Sequence, residues 1–81
     1  MEVTVLLFAG IAEAAGTRKL KLSHRSGDTV GSVRERVLAA HPELARFVPT
    51  LLYAVNEEYA REDTKVPSGA TLAFIPPVSG G

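Results

Sequence analysis

No cysteine occurs anywhere in the 81 residues. That absence removes a disulfide framework, a thiolate metal site, an iron–sulfur cluster and a cysteine nucleophile together. Neither charge is in excess: nine Lys and Arg stand against nine Asp and Glu, for a formal net charge of zero. No strong overall field is therefore available to recruit nucleic acid or an anionic membrane. The two histidines, His24 and His41, lack the helical spacing and acidic companion that metal catalysis uses, so they read as surface residues and no metal ligand set is expected. Gly10, Gly16, Gly27, Gly31 and Gly69 are not followed by the lysine and hydroxyl residue of a phosphate-cradling loop, and read as turns and caps. Long hydrophobic runs are also missing. Residues 3–9 are apolar but have no basic leader and are too short to span a bilayer, so neither a signal peptide nor a membrane helix is expected. The default location is the cytoplasm.

What the chain does have is an unusual end, Pro76-Pro77-Val78-Ser79-Gly80-Gly81, following the apolar run 72–75. Two glycines in succession make a segment thin enough for a narrow channel and leave the carbonyl of Gly81 open to attack. The prolines fix φ and lack N–H groups, so they end a sheet ladder and favour an extended arm. From Ile75 to Gly81 such an arm reaches roughly 20 Å. Ordinary terminal fraying is the competing reading. With no internal nucleophile or cofactor motif, the α-carboxylate of Gly81 is the expected working group.

At this length one domain with one core is expected over residues 1–75, with 76–81 as a projecting tail. Residues 2–8 read as a strand with Val3, Val5 and Leu7 inward and Glu2, Thr4, Leu6 and Phe8 outward. Residues 10–15 form a short helix ending on Gly16. Alternation over 18–22 gives a second strand, and 26–28 a turn. Asp28 or Thr29 caps the main helix, whose stripe is Val30, Val33, Val37 and Leu38 and which stops near His41, before Pro42. Residues 51–55 and 58–60 read as strands about an Asn56-Glu57 turn; Pro67-Ser68-Gly69 then turns the chain into a last strand, 71–75. The order suggests an α+β fold of β-grasp (ubiquitin-like) type, a mixed sheet packed on one main helix. Two charge clusters read as solvated surface: the basic stretch Arg18, Lys19, Lys21, His24 and Arg25, and the acidic Glu57, Glu58, Glu62 and Asp63. Phe8, directed away from the Val3-Val5-Leu7 face, Tyr59 on the short return strand, and Ile75, facing opposite Phe74, are the expected partner-docking residues beside the tail, with core or scattered surface positions as the competing reading.

The tail, together with Ala54-Val55-Asn56, Gly69, Ala73-Phe74-Ile75, the opening 5–9, Glu13 and Gly16, resembles the small, sulfur-carrying subunit of molybdopterin synthase over nearly the whole chain. The chain departs from that family's pattern at Ala12, where arginine is frequent, and at Ala70-Thr71, where acidic residues are frequent. The resemblance implies that a separate adenylating enzyme uses ATP to convert Gly81 to an acyl-adenylate, that a persulfide donor displaces AMP, and that the product is a C-terminal thiocarboxylate. It further implies a large catalytic synthase subunit, the partner in a heterotetramer, that takes the sulfur to build a dithiolene on a cyclic pyranopterin precursor. On that reading the chain binds no permanent cofactor, nucleic acid or membrane, and is a sulfur donor within a sulfurtransferase complex. A ubiquitin-like protein modifier, or a sulfur carrier for thiamine or tRNA thiolation, uses the same activation with a different acceptor. An inert interaction domain is the remaining alternative.

Overall fold

A computed structural model of the chain describes residues 1–77. The elements run β1 (Glu2–Leu7), α1 (Ala9–Ala15), β2 (Lys19–Ser23), α2 (Val30–Ala40), a 3₁₀ segment (Pro42–Thr50), β3 (Leu52–Val55), β4 (Glu58–Ala60) and β5 (Thr71–Ile75). The five strands form one sheet in the order β2-β1-β5-β3-β4. β1 and β5 pair in parallel at its centre, and the other pairs are antiparallel. This is the expected mixed β-grasp sheet.

Alternation decides which side of the sheet is dry. Val3, Val5 and Leu7 from β1, Leu72 and Phe74 from β5, and Tyr53 from β3 are buried on one face. α2 lays Val30, Val33 and Val37 across them, with Ile11 from α1 and Leu44 from the 3₁₀ segment completing the core. Tyr53 meets Phe74 edge-on, ring centres 5.6 Å apart, a favoured geometry for aromatic quadrupoles.

The start of α2 is closed from two sides. Thr29 is the N-cap, not Asp28: its Oγ1 accepts from the Ser32 N–H, and Ser32 Oγ accepts from the Thr29 N–H. The next amides point into the 61–66 loop, where Val30 N–H donates to Thr64 O and Gly31 N–H to Glu62 O at 2.8 Å. A Cβ on Gly31 would lie 3.3 Å from Glu62 O, so glycine permits this close approach.

Three local features differ from the expected pattern. Phe8 stands outside β1 as the extended residue preceding α1. The 3₁₀ segment is additional; Pro42 occupies its first turn, where a missing N–H costs no internal bond. His24 is half-buried and not a plain surface residue: its Nε2–H donates to the Val66 carbonyl at 2.8 Å, tying the end of β2 to the loop before β5.

Candidate partner-docking groove at the root of the tail

The second face of the sheet carries no helix, and its floor follows from the strand register. Leu6 on β1 lies opposite Ala73 on β5, Ala73 opposite Ala54 on β3, and Ala54 opposite Tyr59 on β4. Two alanines in the middle of that row, with larger side chains at either end, leave a concave floor. Phe8 and Leu6 line one wall of the resulting groove, Tyr59 and Glu57 the other, and Ile75 sits at the end from which Pro76 and Pro77 depart. The three residues expected to dock a partner therefore share one depression. Tyr59 is 80% exposed, Phe8 45%, and Ile75 is half-buried. Leu52, paired with Ile75 and 44% exposed, extends the apolar surface beside the groove. A second depression shares Leu6 and Phe8 but runs along α1 past Ala12, Glu13 and Arg18, away from the tail root.

Sequence reading placed Leu6 outward but did not assign Leu6, Ala54, Ala73 or Glu57 to a site. The signal was present as alternation: Leu52-x-Ala54 and Thr71-x-Ala73-x-Ile75 lie out of phase with the inward Tyr53, Leu72 and Phe74. Their convergence required the pairing register as well.

The β3–β4 hairpin sets the wall carrying Tyr59. Asn56 and Glu57 both have positive φ, 48° and 71°, as a two-residue type I′ turn demands. Asn56 also splices the hairpin to β5: its N–H donates to Thr71 O at 2.8 Å and its Oδ1 accepts from Thr71 N–H at 3.0 Å. On the opposite wall a positive φ recurs at one non-glycine residue, Ala9, at 50° immediately after Phe8.

The ionisable groups with shifted pKa values lie elsewhere and hold the scaffold. Asp28 is 5% exposed; burial alone pushes its pKa up, but the Arg25 N–H, the Ser32 hydroxyl and the Arg36 guanidinium together bring it below the ordinary carboxylate value. Arg34 donates to the Tyr53 hydroxyl and contacts Glu62 and Glu35, and these partners raise its pKa. Glu62, expected as solvated turn charge, is thus ion-paired, and His41 has an acidic neighbour after all, with Nδ1 3.3 Å from Glu43. Among the described residues no group of His, Asp or Glu side chains is arranged to hold a metal ion, and no helix is long and apolar enough to cross a membrane. Val78, Ser79, Gly80 and Gly81, expected as the outer tail, lie outside the described residues.

Residues 5–81 match the model of the ThiS family. The chain belongs to the ThiS family. It is 35% identical to the molybdopterin synthase sulfur carrier subunit of Chlamydomonas reinhardtii, with both chains covered completely, so the resemblance seen in the sequence holds from end to end. The crystal structure of small archaeal modifier protein 1 from Haloferax volcanii superposes on this ThiS-family chain with a TM-score of 0.89, at 31% identity and complete coverage of both. A likeness of fold extends to the protein–protein complex of subunits 1 and 2 of molybdopterin-converting factor from Helicobacter pylori, with a TM-score of 0.71, 20% identity and complete coverage of both chains.

Proposed function

We propose that this chain is the sulfur-carrier small subunit of a molybdopterin synthase, and that its sulfur travels on Gly81. The observation that carries the reading is the placement of an exposed apolar groove at the root of a Pro-Pro-Val-Ser-Gly-Gly tail. The full-length similarity to a molybdopterin synthase sulfur carrier subunit supplies the chemistry to which that placement is suited. A carrier needs a body that a partner can grip and a slender arm that reaches the partner's reacting centre. Docking the groove onto a large synthase subunit would aim the arm away from Ile75 in one direction.

An α-carboxylate titrates near ~3.5, so at neutral pH Gly81 is an anion and a poor electrophile. In the proposed cycle its oxygen attacks the α-phosphate of ATP on an activating enzyme, releasing pyrophosphate and leaving an acyl-adenylate. A persulfide sulfur then displaces AMP to give an acyl disulfide. A thiol of the donor system cleaves the sulfur–sulfur bond and leaves the thiocarboxylate on Gly81, the donor side being oxidised. On the large subunit the thiocarboxylate sulfur bonds to the pyranopterin precursor, and water hydrolyses the resulting thioester, leaving the sulfur on the precursor and returning Gly81 to a carboxylate. Residues of this chain supply grip and reach; the acid–base groups belong to its partners.

Fully burying an exposed apolar side chain is worth about 1.5–3 kcal/mol; with Phe8 and Ile75 already partly covered, docking Phe8, Tyr59 and Ile75 gives roughly 2–5 kcal/mol of gross driving force before association costs. That is a substantial part of the ~8 kcal/mol of a micromolar complex. Replacing each singly with Ala is expected to weaken binding to the large subunit while leaving the unfolding midpoint nearly unchanged, because each projects from the face opposite the core. Unchanged affinity for all three, or loss of stability alone, rejects the docking surface. The likeness to small archaeal modifier protein 1 favours one second reading, conjugation to other proteins through Gly81; isopeptide-linked products in cells would identify it.

A further inference from the structure

Glu57 stands at a position where a hairpin ordinarily places glycine. It is the second central residue of the β3–β4 turn, with φ 71°, and a side chain there is disfavoured by contact between Cβ and the backbone. The local sequence is thus Asn-Glu in a conformation best served by Asn-Gly. Strain of this kind is retained where the side chain has a use that offsets it. The Glu57 carboxylate, like those of Glu2, Glu13, Glu58 and Asp63, has no ion-pair or hydrogen-bond partner among the described residues, and it is the one of these five that lines this groove. It is exposed and lines the groove beside Tyr59. An apolar trough with an alanine floor and one unpaired carboxylate on its rim has a defined complement.

We propose that Glu57 is a specificity determinant of the groove, selecting a partner that inserts an apolar side chain over Ala54 and Ala73 and sets a lysine or arginine against the rim. The inference rests on the docking reading above and adds the chemistry of the surface that docks. The zero net charge of the chain conceals it, because the relevant field is local. The carboxylate attracts the complementary cation during approach and disfavours a partner that brings an acidic group to the same place.

Three variants and one partner test this. Ala73→Leu fills the trough; Glu57→Asn removes the charge with a residue that tolerates positive φ; Glu57→Lys reverses the charge. Binding to the purified large molybdopterin synthase subunit of the same organism is measured at low and high salt, alongside thermal unfolding. Glu57→Asn is expected to weaken binding about threefold and Glu57→Lys about tenfold at low salt, with both losses shrinking at high salt. Glu57→Asn should unfold at the same temperature as the parent or higher. If Ala73→Leu abolishes binding but both Glu57 variants keep the parental affinity and salt dependence, the role of Glu57 is overturned and the docking reading stands. Losses that are equal at all salt concentrations overturn it too, since they report turn shape and not charge. Failure of the parent chain to bind, or normal binding by Ala73→Leu, overturns the docking reading and this inference with it.

Discussion

Asp28 shows how much a single residue can organise without touching the function. Its Oδ2 accepts from the Arg25 N–H at 2.9 Å and from Arg36, its Oδ1 accepts from Ser32 Oγ at 2.9 Å, and its carbonyl accepts from the Val66 N–H. The carboxylate therefore joins the turn to the first two turns of α2, and the backbone carbonyl of the same residue ties both to the loop before β5. Replacing it with Ala leaves the Arg36 guanidinium, only 19% exposed, without its counter-charge. The expected cost is about 3 kcal/mol, measured as a fall in the denaturant midpoint at neutral pH. The pH dependence follows from the lowered folded-state pKa. Asp28 contributes stability that is fully present above the unfolded value of about 3.9 and is lost as pH falls through the lower folded value. The gap between parent and Asp28→Ala should thus narrow on acidification below about pH 4; a gap that widens there contradicts this account. Sequence reading offered Asp28 only as an alternative cap and put Arg36 outside the apolar stripe. The 28, 32, 36 spacing does place the three on one helix side, but that this side faces a loop and not water depends on the fold.

At the scale of elements, periodicity was informative wherever a segment has one wet and one dry face. The inward set Val3, Val5 and Leu7 and the stripe Val30, Val33 and Val37 are buried as the pattern implies. The 3₁₀ segment escaped because Pro42 read as the end of helical structure; the i, i+3, i+7 spacing of Leu44, Phe47 and Leu51, all packed in or against the core, was its available signal. The Asn56-Glu57 turn was legible as a turn, but the bond from Thr71 N–H to Asn56 Oδ1 spans 15 residues and was not. Asn56→Ala removes that acceptor and a residue suited to positive φ. A loss of about 1–2 kcal/mol in unfolding free energy is expected, with faster amide exchange at Thr71. Parental exchange at Thr71 would show that the side chain does not hold β5.

For the whole molecule, the division of labour between a rigid β-grasp body and a tail is the central claim. The body's fold was legible because short strands, one helical stripe and turn residues occur in an order that few small architectures accommodate. The groove was only partly legible: Phe8 and Ile75 could be assigned outward and Tyr59 to the short return strand, but the alanine floor joins residues 6, 54, 59 and 73, which only strand register brings together. Deleting Gly81 should leave the unfolding midpoint unchanged, because the core comprises residues 3–74, and should abolish sulfur transfer. The most direct measurement is intact-protein mass spectrometry after incubation with the activating enzyme, ATP and a persulfide donor. The account predicts a mass gain equal to exchange of one oxygen for sulfur, mapped by fragmentation to Gly81 and absent when ATP is withheld. Sulfur on any other residue, or an unmodified chain beside an activating enzyme that loads its own known carrier, would contradict it.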